Sequence, residues 1–240
     1  MISPMTILAR WRSEFDRRQR YAVSSREPFF ELATAYLPPE EDGIVVDIGA
    51  GDGSFAHSQN LALRYKNLYL LDHNAASVAV LKKEFPKAEV YSAPEKLPFD
   101  DETVSFIHLS HIVEHLEPRQ LYAFLVECDR VLKDGGVLVI SAPLLWDRFY
   151  DDLSHVKPYT PAVFINYLCS KRANANAEAI SDSFHVHELV YRVRAASVDD
   201  GLGSRFFTID AALRASRVII SALGFRQYRR NGFTLVLKKS

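Results

Sequence analysis

Residues 44–53 read Ile-Val-Val-Asp-Ile-Gly-Ala-Gly-Asp-Gly, a short β-branched run that leads directly into a glycine-rich loop. The run Ile44-Val45-Val46 has no polar face, which is typical of a strand buried on both sides in a parallel sheet. Glycine allows a sharp turn and lets a ligand approach the backbone closely. Because residues 54–66 are predicted to form a helix, the segment predicts a strand, loop and helix unit that binds a nucleotide-like ligand.

The same alternation of strand and helix continues after this unit. Strands are predicted at residues 68–71, 89–91, 104–109 and 137–140, and helices at residues 75–85 and 118–132. Such alternation implies right-handed crossovers and a Rossmann-like, doubly wound sheet. Near the end of the chain, Asn231-Gly232 separates two strand-like runs, 225–230 and 233–238, which is a strong hairpin signal. We therefore predict an α/β fold with seven strands, of which the last is antiparallel.

The whole chain, residues 1–240, is predicted to be a single domain with three regions. Helices at residues 5–21 and 26–37 form an N-terminal helical cap within residues 1–40, and residues 41–145 form a cofactor-binding core. Residues 146–240 form the acceptor side, with an insertion at about 171–207 and the C-terminal hairpin. Within the insertion, residues 184–194 alternate apolar and polar side chains and are predicted to form a strand.

The composition is that of an ordinary globular protein. Of the 240 residues, 48% are hydrophobic and 25% charged, and the formal net charge is −1, so nothing favours nucleic acid as a partner. The two cysteines, Cys128 and Cys169, exclude a disulfide framework and a CxxC zinc site. Because the apolar runs are shorter than a membrane span of about 20 residues and no signal peptide is visible, we expect a cytoplasmic protein without a membrane span.

The second predicted strand ends at an acidic residue, Asp72, 19 residues after Gly53. A carboxylate at this place accepts hydrogen bonds from both hydroxyls of a ribose. A nicotinamide dinucleotide, the cofactor of a dehydrogenase, needs its pyrophosphate at the helix N-terminus, where Asp52 would repel it. S-Adenosylmethionine has no phosphate, and its ammonium group suits Asp47. The residues therefore favour S-adenosylmethionine as the cofactor.

Four segments resemble the motifs of the class I S-adenosylmethionine-dependent methyltransferase superfamily, in its type 11 and type 12 domains. Residues 45–56 resemble the first motif, and residues 92–102 resemble the segment often written G-D-A-E-x-L-P-F-x-D. Residues 110–116 resemble the end of the fourth strand, and residues 130–136 the turn before the fifth. The resemblance covers residues 40–145 and implies that S-adenosyl-L-methionine binds at Asp47, Gly49, Ala50, Gly51, Gly53, Asp72, His73, Ala93, Pro94, Glu95 and Ser110.

Two residues depart from the pattern of the superfamily. Where the superfamily often has an Asp that accepts from the adenine amino group, this chain has Ala93. The next residue often donates its backbone N–H to adenine, but Pro94 has none. Ser92 and Glu95 are possible substitutes for these contacts, and a weaker, apolar adenine pocket is the alternative.

Four ionisable side chains follow the fourth and fifth predicted strands, at the sheet edge where ligands bind. His111, Glu114 and His115 share one face if their turn is helical, and His155 follows the fifth strand. One interpretation is a general base, His155 first, then His111 and His115. A second is a divalent-metal site, similar to the Glu-x-x-Glu-His motif of some O-methyltransferases and RNA-end methyltransferases, although His111 stands at the first Glu position. A third is local hydrogen bonding that only shapes the pocket.

Residues 152–161 resemble a segment of bacterial methyltransferases associated with sugars, often written D-x-x-H-V-x-P-Y-T-P. The resemblance implies that the acceptor is a hydroxyl of a saccharide or another small molecule. One alternative is a quinone-type or small-aromatic O-methyltransferase, with or without a metal. Another is a non-catalytic, cofactor-binding partner subunit, which Ala93 and Pro94 favour and the intact Asp47 and Asp72 oppose. The sequence leaves the acceptor and the oligomeric state open.

Overall fold

The computed structural model describes residues 4–174, 177–195, 203–225 and 228–240. The chain divides into two compact units. The smaller unit combines Met1–Ser24 with Arg192–Asn231, and the larger unit combines Ser25–Tyr191 with Gly232–Ser240. The glycine-rich loop and every residue predicted to bind the cofactor or the acceptor belong to the larger unit.

A seven-stranded sheet forms the framework of the fold. Its strands are β1 (Ile44–Ile48), β2 (Leu68–Asp72), β3 (Ala88–Val90), β4 (Val104–Ser110), β5 (Leu132–Pro143), β8 (Phe184–Ala195) and β9 (Tyr228–Lys239). They lie in the order β3-β2-β1-β4-β5-β9-β8; β1 to β5 pair in parallel, whereas β9 runs antiparallel to β5. The predicted seven-stranded, Rossmann-like sheet with an antiparallel last strand is confirmed. The short strands β6 (Arg172–Asn174) and β7 (Ala177–Glu178) form a separate antiparallel pair.

The helices of the described residues are α1 (Pro4–Arg20), α2 (Glu27–Thr34), α3 (Ser54–Ser58), α4 (Leu61–Arg64), α5 (Ala75–Leu81), α6 (Pro118–Val131), α7 (Pro161–Leu168) and α8 (Phe207–Ala222). Single 3-10 turns occur at Val113–His115 and Phe149–Asp151. Helix α6 begins where its sequence predicts, with proline in the first turn and a capping box between Glu117 and Gln120. The helix predicted at residues 54–66 is divided into α3 and α4, because Asn60 adopts a left-handed conformation with φ 52°.

Apolar side chains cover both faces of the sheet. Along β1, Val46 and Ile48 pack in one cluster with Phe124 of α6, whereas Val45 packs in a second cluster with Phe55 of α3. Successive side chains of a strand point to opposite faces, so β1 is enclosed on both sides. Burial of one such side chain contributes about 1.5–3 kcal/mol, and this double burial fixes the strand that carries the glycine-rich loop.

The predicted hairpin at Asn231-Gly232 is wrong. Both residues lie inside β9, where Gly232 pairs with Pro143 of β5 and Phe233 pairs with Ala142. The local turn preference of Asn-Gly is outweighed by the ladder to β5 and by the burial of Phe233. In the run predicted to form the first strand of the hairpin, residues 226 and 227 lie outside the described residues.

Part of the predicted insertion belongs to the main sheet. The strand predicted at residues 184–194 is present as β8, at the edge of the seven-stranded sheet beside β9. Residues 175–176 and 196–202 of the predicted insertion lie outside the described residues. The alternation of apolar and polar side chains therefore belongs to a strand of the main sheet. Such alternation is typical of a strand with one buried face and one solvent-exposed face.

The smaller unit is largely helical, with α1 and α8 as its helices. Trp11 of α1 is 63% exposed, and none of the described residues of α8 is buried. Within this unit, the backbone N–H of Val193 donates to the carbonyl of Tyr21 at 3.1 Å. Across the described ranges, no helix combines the length and the apolar character that crossing a bilayer requires.

The register of β5 and β9 can be tested at one half-buried hydroxyl pair. The hydroxyl oxygens of Ser141 and Thr234 lie 2.7 Å apart. Thr234→Val should lower the free energy of unfolding by about 1 kcal/mol, because the Ser141 hydroxyl loses this partner. Ser141→Ala should lower the free energy of unfolding less in the Thr234→Val protein than in the unaltered protein, because the hydroxyl pair is already broken there. Urea unfolding of the four proteins measures the coupling, and strictly additive effects would contradict this register.

Candidate active site

The carboxylate of Asp72, at the end of β2, holds the loop that follows β1. One oxygen accepts from the backbone N–H of Gly51 at 2.8 Å, and the other accepts from the backbone N–H of Asn74 at 2.8 Å. Asn74 in turn caps α5, because its side chain accepts from two backbone N–H groups of the first turn. Asp72 is 6% exposed, and hydrogen bonds to a charged group contribute about 1.5–3 kcal/mol. One buried side chain thus fixes two loops at the edge of the sheet.

Three glycines of the loop adopt positive φ: Gly49 at 76°, Gly51 at 59° and Gly53 at 76°. A Cβ atom at Gly49 would lie 2.6 Å from Cγ1 of Ile112, and one at Gly53 would lie 2.8 Å from Cδ2 of Leu81. At Gly51, in contrast, a Cβ atom would meet nothing within 4 Å. Gly49 and Gly53 are therefore required by packing within the chain, whereas the side-chain position of Gly51 faces open space.

A cavity of about 470 Å³ opens beside this loop, within the range of about 300–1,000 Å³ that small-molecule sites occupy. Residues at or after the ends of β1, β2, β3, β4 and β5 contribute to its wall: Ile48, Gly49, Asp72, His73, Tyr91, Ser92, Ala93, His111, Ile112, His115, Leu116 and Ser154. The structure thus brings six predicted site residues into one cavity: Gly49, Asp72, His73, Ala93, His111 and His115. The wall is mainly apolar, with one carboxylate and three imidazoles.

The other predicted cofactor residues do not belong to this cavity wall and lie in different settings. Ala50 and Gly53 close the turn of the loop, because the N–H of Gly53 donates to the carbonyl of Ala50 at 2.8 Å. Ser110 is buried at the end of β4. Pro94 is half-buried and Glu95 is exposed, and both follow Ala93, which lines the cavity.

Asp47, predicted to face the cofactor's ammonium group, pairs with a buried histidine. Its Oδ1 lies 2.8 Å from Nδ1 of His108, and the two side chains are 2% and 1% exposed. The residues are direct neighbours across β1 and β4, and the His108 ring lies 4.1 Å from the ring of Phe55 between centroids. The pair therefore packs under α3, and the predicted contact of Asp47 with the ammonium group stays a prediction.

His111 and Glu114 form a second imidazole–carboxylate pair, at the cavity itself. Nδ1 of His111 lies 3.0 Å from Oε1 of Glu114, and the side chains are 25% and 1% exposed. His111 has φ 58°, a conformation that costs a residue other than glycine about 1–3 kcal/mol and that occurs often at functional sites. A buried carboxylate thus orients an imidazole that borders the cavity.

Two further imidazoles lie beside this pair. Nδ1 of His115 lies 3.0 Å from the carbonyl oxygen of Ser154, and Nδ1 of His155 lies 2.6 Å from the carbonyl oxygen of Phe149. The two rings are 5.0 Å apart between centroids. The structure therefore places His155 in contact with His115, which lines the cavity.

Sequence reasoning misses three residues of this region: His108, Ile112 and Ser154. A histidine inside an otherwise apolar strand indicates a buried partner, since a polar group pays a desolvation cost unless it is bonded, so His108 carries a readable signal. Ile112 and Ser154 carry none, because their roles follow from the fold: Ile112 packs on Gly49, and Ser154 offers a backbone carbonyl.

Known proteins match the region that carries this site. Residues 46–140 match the family described as "Methyltransferase domain". A protein of Mycobacterium tuberculosis, named "Probable S-adenosylmethionine-dependent methyltransferase", is 30% identical over 100 residues, which is 41% of this chain and 35% of that protein. An uncharacterized chloroplastic methyltransferase of Arabidopsis thaliana is 28% identical over 140 residues, 54% of this chain and 38% of that protein. The matches thus span little more than a third of these relatives.

Solved structures share the fold over nearly the whole chain. A SAM-dependent methyltransferase from Archaeoglobus fulgidus has a TM-score of 0.58 and 20% identity, and the match covers 94% of this chain and 99% of that one. A Haloferax volcanii methyltransferase, solved in complex with the activator Trm112, has a TM-score of 0.56 and 20% identity, with 96% and 92% covered. At these identities the likeness establishes the fold.

Two alanine substitutions separate packing from ligand binding in the loop. Both Gly49→Ala and Gly51→Ala place an L-residue at positive φ, which costs about 1–2 kcal/mol. Gly49→Ala also drives its Cβ into Ile112, so we expect it to lose at least about 1 kcal/mol more in unfolding free energy. Gly51→Ala should remain folded yet bind S-adenosylhomocysteine about tenfold or more weakly, or about 1.4 kcal/mol. Urea unfolding measures the stability of the two variants, and calorimetry measures their binding of S-adenosylhomocysteine. Equal stabilities of the two variants, together with unchanged binding by Gly51→Ala, would contradict these roles of Gly49 and Gly51.

Proposed function

We propose that this chain is a class I S-adenosylmethionine-dependent methyltransferase that methylates a hydroxyl of a saccharide or another small molecule, as the match of residues 46–140 to a methyltransferase domain supports. The observation that carries this proposal is the composition of one cavity. The glycine-rich loop and Asp72, which suit the cofactor, border the same space as His111, whose ring is oriented by a buried carboxylate. Removal of a proton from a hydroxyl can therefore occur where the cofactor binds.

The cavity fits S-adenosylmethionine. Each oxygen of a carboxylate accepts two hydrogen bonds, so Asp72 retains capacity for ribose hydroxyls after accepting from Gly51 and Asn74. The apolar wall, with Ala93 and Tyr91, suits adenine in the absence of the usual Asp acceptor. When bound, the cofactor supplies a methyl group that a sulfonium activates for transfer.

We assign the role of general base to His111. Its Nδ1–H donates to Glu114, which fixes the tautomer in which Nε2 is the basic nitrogen. The buried carboxylate also stabilises the imidazolium that forms when the ring takes a proton. The sequence favours His155 first, but His155 lies beside His115 with its own Nδ1 bound to the Phe149 carbonyl. His111 has both the position in the cavity and the carboxylate partner.

The acceptor class follows from charge and from the loop after β5. The formal net charge of −1 offers no general attraction to nucleic acid. The segment 152–161 resembles methyltransferases associated with sugars, and its Ser154 lines the cavity. An imidazole suits a hydroxyl as a general base, because the hydroxyl must lose its proton as the new bond to carbon forms.

Methyl-labelled S-adenosylmethionine tests the proposal. The protein is incubated with the labelled cofactor and separated saccharide, small-metabolite and nucleic-acid fractions. We expect the label in a methyl ether of a saccharide or small-molecule fraction. Label in nucleic acid would contradict the acceptor class. Tight cofactor binding with no transfer to any fraction would contradict an enzymatic role and support a non-catalytic partner subunit.

Asp72→Ala should weaken binding of S-adenosylhomocysteine by about 1.5–3 kcal/mol, roughly 10- to 150-fold, because charge-assisted hydrogen bonds to the ribose are lost. Asp52→Ala is the matched control, since Asp52 is an exposed carboxylate of the same loop that bonds to Ser54. Its dissociation constant should stay within about twofold, or about 0.4 kcal/mol. Calorimetry measures both, and an unchanged constant for Asp72→Ala would mean that the ribose is held elsewhere.

His111→Ala should lower turnover by about 100- to 10,000-fold, the usual contribution of a general base. Affinity for S-adenosylhomocysteine should remain close to that of the unaltered protein. The remaining activity should rise with pH, because hydroxide replaces the missing base. His185→Ala is the control, as His185 is an exposed histidine that does not line the cavity. Turnover that survives in His111→Ala would remove His111 from the mechanism.

A further inference from the structure

We propose that Glu114, His115 and His155 bind a divalent first-row transition metal ion, of the zinc type, at the rim of the cavity. One potential ligand atom from each of the three side chains lies within 4.8 Å of the other two. Metal–ligand distances of about 2.1 Å place two ligand atoms up to about 4.2 Å apart, so small side-chain rotations close the site. Two imidazoles and one carboxylate are the donor set of several zinc sites that keep an open position.

The backbone fixes the two segments that supply these ligands. Glu114 and His115 belong to the 3-10 turn after β4, and His155 belongs to the loop after β5. The carbonyl oxygen of Glu114 accepts from the N–H of Val156 at 2.8 Å and from that of Lys157 at 3.2 Å. These bonds hold His155 next to the turn, so that assembly of the site requires no rearrangement of the backbone.

Both imidazoles are already held in the tautomer that a ligand requires. Because a carbonyl oxygen only accepts, Nδ1 of His115 donates to Ser154 and Nδ1 of His155 donates to Phe149. In each ring the lone pair is therefore on Nε2. Metal-bound histidines almost always donate their other ring N–H to a carboxylate or a backbone carbonyl, and both rings meet this condition.

The buried carboxylate of Glu114 has one oxygen without a hydrogen-bond partner in the described part of the chain, which also favours a bound cation. Its side chain is 1% exposed, and Oε1 pairs with His111 at 3.0 Å. Among the residues that the structure describes, its other oxygen, Oε2, is buried and has no hydrogen-bond partner. Leaving an acceptor of a charged group buried and unsatisfied is costly, and a cation bound by this carboxylate and the two imidazoles would remove that cost.

The site also has a suitable electrostatic setting and an open side. Asp152 has a carboxylate oxygen 3.9 Å from Nε2 of His155. Negative charge near the imidazoles attracts a cation. His115 and Ser154 line the cavity, so the open position faces it. On the basis of the proposed function, the ion there would bind the acceptor oxygen that His111 deprotonates.

Metal binding is measured on the full chain after chelator treatment, without acceptor. Zn²⁺ is titrated by equilibrium dialysis with metal analysis, and Co²⁺ by its visible absorption. We expect one equivalent per chain. Glu114→Gln and His155→Ala should each lower the affinity by more than about 100-fold, beyond the usual effect of losing an outer hydrogen-bond partner. Retained binding of S-adenosylhomocysteine shows that the variants are folded.

His185→Ala is the matched control, because His185 is an exposed histidine whose ring lies 5.0 Å from that of His187. This variant should keep the affinity unchanged. The proposal is overturned if no stoichiometric ion binds, or if His185→Ala abolishes binding while His155→Ala does not. One bound ion with no methyl transfer would overturn the proposed function and leave the metal site standing. Methyl transfer by a protein that binds no ion would overturn the metal site and leave the proposed function standing.

Discussion

The carboxylate of Asp72 accepts one hydrogen bond from the loop after β1 and one from the loop after β2, because β1 and β2 are parallel neighbours in the sheet. Parallel strands end at the same edge, so one side chain reaches both loops. The positive φ values of the glycine loop are compatible with this bond, and the side-chain position of Gly51 remains open. The cavity wall at Gly49, Asp72 and His73, and with it the proposed cofactor fit, depends on where these two loops are held.

The pair of Asp47 and His108 likewise connects two neighbouring strands, β1 and β4. Both side chains are almost fully buried. Removing one partner of a buried charged pair usually costs about 3–5 kcal/mol, whereas replacing both by apolar groups is often neutral. Since β4 leads directly into the turn that carries His111 and Glu114, this pair helps to align the cofactor loop with the residues proposed for acceptor chemistry.

The sequence predicts the parts of the site that depend on local structure. The strand, the glycine loop and Asp72 are close along the chain, and their residue types have a single strong interpretation. Cross-strand partners such as Asp47 and His108 are 61 positions apart, so their contact follows only from the strand order. The same limit explains the wrong hairpin at Asn231-Gly232, where a local turn preference was outweighed by pairing with β5. His155 lies beside Glu114 because the backbone N–H groups of Val156 and Lys157 donate to the Glu114 carbonyl. No sequence motif predicts these bonds.

A crystal structure of the protein with S-adenosylhomocysteine tests the central claim most directly. The account predicts that the ribose hydroxyls lie within hydrogen-bond distance of the Asp72 carboxylate, that adenine packs against Ala93, and that the sulfur faces His111. A ligand bound elsewhere, or one whose sulfur is turned away from His111 toward solvent, would contradict the claim that cofactor and acceptor chemistry share this cavity.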